Sequence, residues 1–343
     1  MKTFPLVEIV GDARQRGVQH GESLRGPIRD TIEFYQEIFD MPERVVFEHS
    51  RTFAGLIQSF SRDYAVEIES IARGADCDAL WIYALNSRTE ILSQIHRSPT
   101  NECTALYFSE PCLLGQNWDW GRALEPLTVV MKLTRPDQHS ITMITEPGII
   151  GKIGMNNSGV GVCLNILSAG APLEGLPVHV LLRAVLDCQS FAAAENVIRS
   201  NAGGKSSNIL LADADGHSVD FELCDEQFFC LTESNGVLLH TNHYLAEPRD
   251  SRDKPDFFSS YARFDKAKEL LVHKHTRDTE TMKQILSDDS NTELPIYRDY
   301  VPESMVKEVG TVCTVVMDLR AKQFHVRRGK YADAAFVSYG VTG

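Results

Sequence analysis

No stretch of the 343-residue chain approaches 18 consecutive apolar residues, so no helical membrane span is expected. None of its eight cysteines forms a C-x-x-C pair, and a chain this long buries a core without disulfide staples. Basic charge is in deficit: 34 lysines and arginines stand against 47 aspartates and glutamates, for a net charge of −13. That balance argues against nucleic acid as a partner, which calls for a basic face. Repeats, low-complexity tracts, proline-rich linkers and a G-K-[ST] phosphate loop are all missing. Near the start, Glu8 and Asp12 interrupt the apolar stretch that a signal peptide needs, so a cytoplasmic location is expected. A composition 43% hydrophobic and 24% charged excludes disordered, collagen-like and coiled-coil chains.

The hydrophobic period changes once along the chain. After a strand-like start from Phe4 to Val10, apolar residues recur at helical spacing through Leu24, Ile28, Ile32, Tyr35 and Phe39. They do so again over one longer stretch from Phe53 to Ile71, and towards Ile91, so the first hundred residues read as mainly helical. From residue 103 the period is two. Strands are expected at 103–109, 113–119, 127–134, 140–145, 149–155, 160–167, 207–213, 218–223, 226–231, 236–241, 311–318 and 323–328. Helices are expected near 177–200, 257–273 and 278–287. Many antiparallel strands with clustered helices predict an α+β layered fold, with helices over both outer faces of two packed sheets.

Three segments hold candidate chemistry. In residues 101–120, NECTALYFSEPCLLGQNWDW, a hairpin with the three-residue loop Glu110-Pro111-Cys112 pairs Ser109 with Leu113 and brings Cys103 opposite Asp119. In residues 145–167 five glycines fall in or directly beside expected strands, and Asn165 lies inside an apolar strand where its amide must find partners. In HTNHYL, residues 240–245, Asn242 stands at a strand exit, where its side-chain NH2 can serve a reacting carbonyl as an oxyanion donor. His240 and His243 raise a metal reading, but without the helical spacing or cysteine companions of familiar zinc sites no metal is expected. Arg263 lies among apolar neighbours on an expected helix, the setting of a buried charge partner.

Taken together, GDARQRGVQHG, ALNSRTE, CTALYF followed by GQNWDW, TEPGIIGKIGMNNSGVGV, LPVHVLLRAVL and HTNHYL resemble the acyl-coenzyme A:6-aminopenicillanic acid acyltransferase (isopenicillin N acyltransferase) family of cysteine Ntn hydrolases. The resemblance implies a four-layer αββα sandwich made as an inactive precursor. It implies self-cleavage between Glu102 and Cys103, leaving a mainly helical segment of residues 1–102 and a catalytic portion of residues 103–343 packed as one unit. Cys103 would then attack N-acyl amides through a thioester acyl-enzyme, its α-amine serving as base, and the acyl group would pass to water or an amine. Asp119 would orient the α-ammonium group and Asn242 would form the oxyanion hole. Asn165 and Arg263 would line the site, with Trp118 and Trp120 supporting it.

Two positions depart from the family pattern. Glu102 precedes the nucleophile where the fungal enzymes carry Gly, and Glu308-Val309 replaces the Ser-Arg tied to the β-lactam substrate. No resident cofactor is implied, although an acyl-CoA co-substrate fits the family. The expected partners are a small amide substrate, the chain's own N-terminal fragment and a second copy of the chain. Two alternatives stay open on sequence: a metal-dependent hydrolase using His240 and His243, and an uncleaved, non-catalytic binding protein of the same fold.

Overall fold

The computed structural model describes residues 2–94, 103–168, 172–246, 257–274 and 276–342. Glu102 and the bond it shares with Cys103 lie outside the described residues.

Local signals start the N-terminal helices. Asp12 and Gln15 form a reciprocal capping box at the head of α1 (Ala13–Ser23), satisfying two backbone donors. Next come α2 (Arg25–Phe39), α3 (Glu43–Phe60), α4 (Arg62–Ala75), α5 (Ala79–Asn86) and α6 (Arg88–Gln94). The apolar stripe expected to run unbroken from Phe53 to Ile71 is divided between α3 and α4. Ser61 takes an extended conformation between them and accepts from the Tyr64 N–H at 3.4 Å, so its side chain starts a new helix. Gly17 and Gly21 of GDARQRGVQHG explain how closely α1 and α4 pack. A Cβ on Gly21 would lie 2.2 Å from the Ile71 carbonyl oxygen, so only glycine fits there.

Two sheets follow. The first has the order β1 (Leu6–Val10), β4 (Val129–Thr134), β5 (Ser140–Thr145), β6 (Gly154–Asn156), β7 (Gly161–Ile166), β8 (Lys205–Ala212), β9 (Ser218–Asp225), β10 (Gln227–Leu231). All its pairings are antiparallel except β1 with β4, which is parallel. The second sheet has the order β11 (Val237–His240), β2 (Thr104–Phe108), β3 (Leu113–Gly121), β13 (Lys307–Asp318), β14 (Gln323–Arg328), β15 (Val337–Gly340), with the short β12 (Val301–Glu303) beside β13. The strand expected at 149–155 is mostly loop. Gly151 is pressed against α7 (Val178–Leu186), where a Cβ would lie 2.4 Å from the His179 carbonyl oxygen.

The sheets pack face to face through β2, β3 and β7. On the outside, α7 and α8 (Phe191–Ser200) cover the first sheet. Over the second lie α9 (Phe258–His273) and α10 (Thr279–Ile285), packed on Leu106, Phe108, Leu113 and Val316. This is the αββα layering. The helix α5 packs on α7, so the N-terminal helices extend the layer over the first sheet. Buried charge ties them there: Glu67 on α4 holds Arg16 of α1 at 2.5 Å and Arg183 of α7 at 2.8 Å. Among the described residues no helix is long and apolar enough to cross a membrane.

Candidate active site around Cys103

The hairpin that carries Cys103 has a different register from the one expected. Phe108, not Ser109, pairs with Leu113, so the loop holds four residues and Thr104 stands opposite Asn117. The cause is long-range: the Ser109 N–H leaves the hairpin and donates to the Gly236 carbonyl at 2.9 Å. Extending the ladder by one step sets Cys103 across from Trp118 rather than Asp119. Asp119 still meets Cys103, with its backbone N–H reaching the thiol and its carboxylate acting on it electrostatically.

Inward-facing residues of β3 alternate, as a strand requires. Gln116 crosses to the opposite sheet, donating to the Leu164 carbonyl at 2.5 Å and accepting from the Leu164 N–H at 2.9 Å. The same buried amide also hydrogen-bonds the Cys103 thiol. Trp118 packs under Lys152, whose ammonium sits 3.1 Å from the ring centroid. Trp120 donates through Nε1 to the Tyr35 hydroxyl at 3.1 Å, away from the thiol and into the helical layer.

The backbone of Cys103 is clamped from both sides. Its carbonyl oxygen accepts from Arg263 Nη1 on α9 at 2.5 Å and from Asn165 Nδ2 on β7 at 3.2 Å. Arg263 is fully buried, and it also donates to Thr104 Oγ1 at 2.9 Å and through Nη2 to Asn242 Oδ1 at 3.1 Å. Asn165 Nδ2 further reaches the carbonyls of Thr241 at 2.9 Å and His240 at 3.3 Å, while its buried Oδ1 has no partner among the described residues. Asn242 is nearly as well fixed. Its N–H donates to Ser260 Oγ at 2.8 Å and its Nδ2 to the Ile166 carbonyl at 3.0 Å. One guanidinium thus joins the cysteine, Thr104 and Asn242.

The two histidines of HTNHYL do not converge. His240 Nε2 pairs with Glu222 Oε1 at 2.8 Å and its Nδ1 with the Thr241 carbonyl at 2.9 Å, both side chains of that pair being fully buried. His243 Nδ1 bonds Ser260 Oγ at 2.8 Å, and its ring stacks on Tyr261. Glu222 also accepts the N–H groups of Leu245 and Ala246 at 2.5 and 3.0 Å. The His240–Glu222 pair therefore shapes the loop that presents Asn242. Three metal-capable groups approach one another among the described residues at Asp213, Asp215 and His217, on the exposed β8–β9 turn, and neither His240 nor His243 belongs to them.

Electrostatics keep the thiol protonated. Burial pushes Cys103 up to about 11, the negative charge of Asp119 adds to the shift, and the Asp119 N–H, Arg263 and Gln116 oppose it. A second buried network lies beyond Trp118. Burial favours neutral Glu146, but Arg88 and Lys152 outweigh it and hold the carboxyl at about 2. Arg88 meets Glu146 at 2.9 Å, Lys152 is hydrogen-bonded to it, and the Tyr35 hydroxyl donates to it at 2.6 Å.

Of the expected site residues, Cys103, Asp119, Asn165, Asn242 and Arg263 come together, with Trp118 beside them. Trp120 belongs to the neighbouring Tyr35–Glu146 network. Gln116, Thr104 and Ser260 went unnoticed in the sequence. Of these, Gln116 alone left a signal there: an amide on the inward face of a strand that is otherwise apolar on that side.

A family model for acyl-coenzyme A:6-aminopenicillanic acid acyl-transferase matches residues 108–333. The 40 kDa form of acyl-coenzyme A:6-aminopenicillanic-acid-acyltransferase from Emericella nidulans is 30% identical over 336 residues, covering 93% of this chain and 91% of that one. Among solved structures, the Caenorhabditis elegans ortholog of N-acylethanolamine-hydrolyzing acid amidase is 19% identical, with a TM-score of 0.47 over 64% of this chain and 93% of its own. A variant of conjugated bile acid hydrolase from Clostridium perfringens is 14% identical, with a TM-score of 0.48 over 70% and 94% of the two chains. Matched by the family model over residues 108–333, and aligned nearly end to end with the fungal enzyme, this chain belongs to the acyl-coenzyme A:6-aminopenicillanic acid acyltransferase family.

Proposed function

We propose that the chain is a self-processing Ntn enzyme that cleaves N-acyl amides through a thioester on Cys103 and passes the acyl group to water or an amine. The observation that carries this reading is the single guanidinium of Arg263, which holds the Cys103 carbonyl at 2.5 Å and the Asn242 carboxamide at 3.1 Å. It fixes the nucleophile and a candidate oxyanion donor relative to each other before any substrate arrives, which is how electrostatic preorganisation works.

In the precursor, the Cys103 sulfur attacks the Glu102 carbonyl carbon, the C–N bond breaks, and the nitrogen takes up a proton as the new α-amine. Water then opens the resulting thioester and releases Glu102 as a carboxylate. A thiol held near 11 needs a base to act near neutral pH. The freed α-amine, with an ordinary pKa of about 7.7–8.0, can be that base. It accepts the thiol proton as sulfur attacks the substrate carbonyl, then gives the proton to the departing amine. Asn242 Nδ2 stabilises the oxyanion, and Asp119 favours the ammonium form of the base by its negative charge. The acyl thioester is resolved by water or by an acceptor amine, and an acyl-CoA thioester offers a second entry to the same intermediate.

The fungal relative acts on 6-aminopenicillanic acid, as its name states. Here Glu308 is half-buried and ion-paired with Arg122 at 3.1 Å, an arrangement that favours an acyl acceptor other than that β-lactam acid. Intact mass tests the processing step. Wild-type protein is expected as two associated fragments, residues 1–102 and 103–343, and Cys103→Ala as one 38.3 kDa chain. Wild type that stays at 38.3 kDa after prolonged incubation at neutral pH would refute self-cleavage and favour a non-catalytic binding protein.

A further inference from the structure

Along the flank of α9, a cavity of about 660 Å³ opens between that helix, β11 and the end of β10. The size is typical of a small-molecule site. Its walls are mostly aliphatic and aromatic: Leu231, Val237, Leu239, Phe264, Leu271 and Val272. Among the described residues nothing covers Val272, which is 73% exposed, an unusual position for a valine.

Three cations share the same cavity, Lys268, Lys274 and Arg277. In a chain of net charge −13, a group of three cations is notable for what surrounds it. None of the three forms an ion pair with a carboxylate among the described residues. Their contacts are neutral. Lys268 lies over the Phe264 ring at 4.3 Å, Lys274 donates to Gln284, and Arg277 donates to the carbonyls of Lys274 and Leu271. These bonds position the groups without cancelling their charge. Asp220, also at the cavity, is fully buried and hydrogen-bonded by Asn208.

We propose that this cavity binds a linear acyl chain with an anionic head, the chain lying along the apolar wall and the head among Lys268, Lys274 and Arg277. Charge complementarity selects the head and the aliphatic wall selects the tail. Nothing in this assignment depends on the chemistry at Cys103. The site nonetheless shares α9 with it, since Arg263 and Phe264 are neighbours that face the clamp and the cavity respectively. An occupant packed on Phe264 would therefore brace the helix that holds Arg263.

The head can be a carboxylate or the phosphates of an acyl thioester, and a titration separates them. Dodecanoate, dodecanoyl-CoA and uncharged dodecanol are titrated calorimetrically into full-length Cys103→Ala protein, which cannot turn the probes over. At least one anionic probe is expected to saturate at one per chain and to bind at least about tenfold tighter than dodecanol. Preference for the CoA ester assigns the head as phosphate, and preference for dodecanoate assigns it as carboxylate. Lys268→Glu and Val272→Asp, both at exposed positions that the fold tolerates, are each expected to weaken that binding about tenfold or more. Failure of both anionic probes to saturate would overturn the proposal. So would binding unchanged in both variants, because it would place the ligand elsewhere, including at the Cys103 site.

Discussion

The protonated thiol of Cys103 gives a prediction that needs no substrate. With its pKa near 11 instead of the ordinary 9.0, about 0.03% of the uncleaved chain carries a thiolate at pH 7.5, against about 3% for an unshielded thiol. The deficit is about 100-fold. A thiolate of higher pKa is intrinsically more nucleophilic, and a Brønsted coefficient of about 0.4–0.5 returns about 6- to 10-fold of that. Alkylation of Cys103 by iodoacetamide at pH 7.5 is therefore expected to be at least about tenfold slower than that of N-acetylcysteine. The pH profile is the sharper readout, because the rate at Cys103 should climb about tenfold per pH unit well past 9. Mass spectrometry of the 38.3 kDa species confines the measurement to uncleaved chains. Asp119→Asn supplies the control with a known sign. Removing a negative charge beside the thiol eases formation of the thiolate, so the inflection moves to lower pH. An inflection at or below 9 in the wild-type precursor, or an Asp119→Asn profile unmoved or shifted upward, would refute this account of the site.

Two other substitutions probe the loop after β11. Asn242→Ala is expected to fold, since it loses one buried side-chain bond to Ile166 and one to Arg263, but to lower the kcat of the cleaved enzyme by about 10²- to 10³-fold. Kinetics on protein confirmed as cleaved check this. Glu222→Gln breaks a fully buried pair and is expected to destabilise by about 3–5 kcal/mol. Burial alone would lower the His240 pKa, but Asp220 and Glu222 raise it above 6.5. The stabilisation tied to that shift is complete below the unfolded value near 6.5 and fades as pH rises through the folded value. The difference in Tm between wild type and Glu222→Gln should thus be larger at pH 5.5 than at pH 8.5.

Much of the site could be read from residues that disagreed with their surroundings. Asn165 in an apolar strand and Arg263 among apolar helix neighbours announced buried polar groups in need of partners, and both meet at the Cys103 carbonyl. The layered α+β architecture followed from the change of period at residue 103. Register did not, because the hairpin loop is set by Gly236, far along the chain, through one hydrogen bond to Ser109. The division at Ser61 was hidden because an apolar stripe continues across a helix break when both helices bury the same side. The parallel pairing of β1 with β4 and the Glu146–Lys152–Arg88 cluster join segments whose proximity no local pattern encodes.

That parallel pairing bears on what a cut before Cys103 would create. The strand β1 is hydrogen-bonded within a sheet whose other strands all come from residues 129–231, while Arg88 and Tyr35 reach Glu146 and Glu67 reaches Arg183. Severing the chain at residue 102 would turn each of these ties from intramolecular to intersubunit without moving an atom of them. The product would be an obligate heterodimer whose interface was never a surface. Neither half could leave the other without stranding charge in an apolar interior, so separation and unfolding would be one event. The order of assembly would then be irreversible in a practical sense. A precursor folds once with its ends tethered, whereas mature fragments mixed from denaturant would have to find each other by collision, at a rate that falls with dilution.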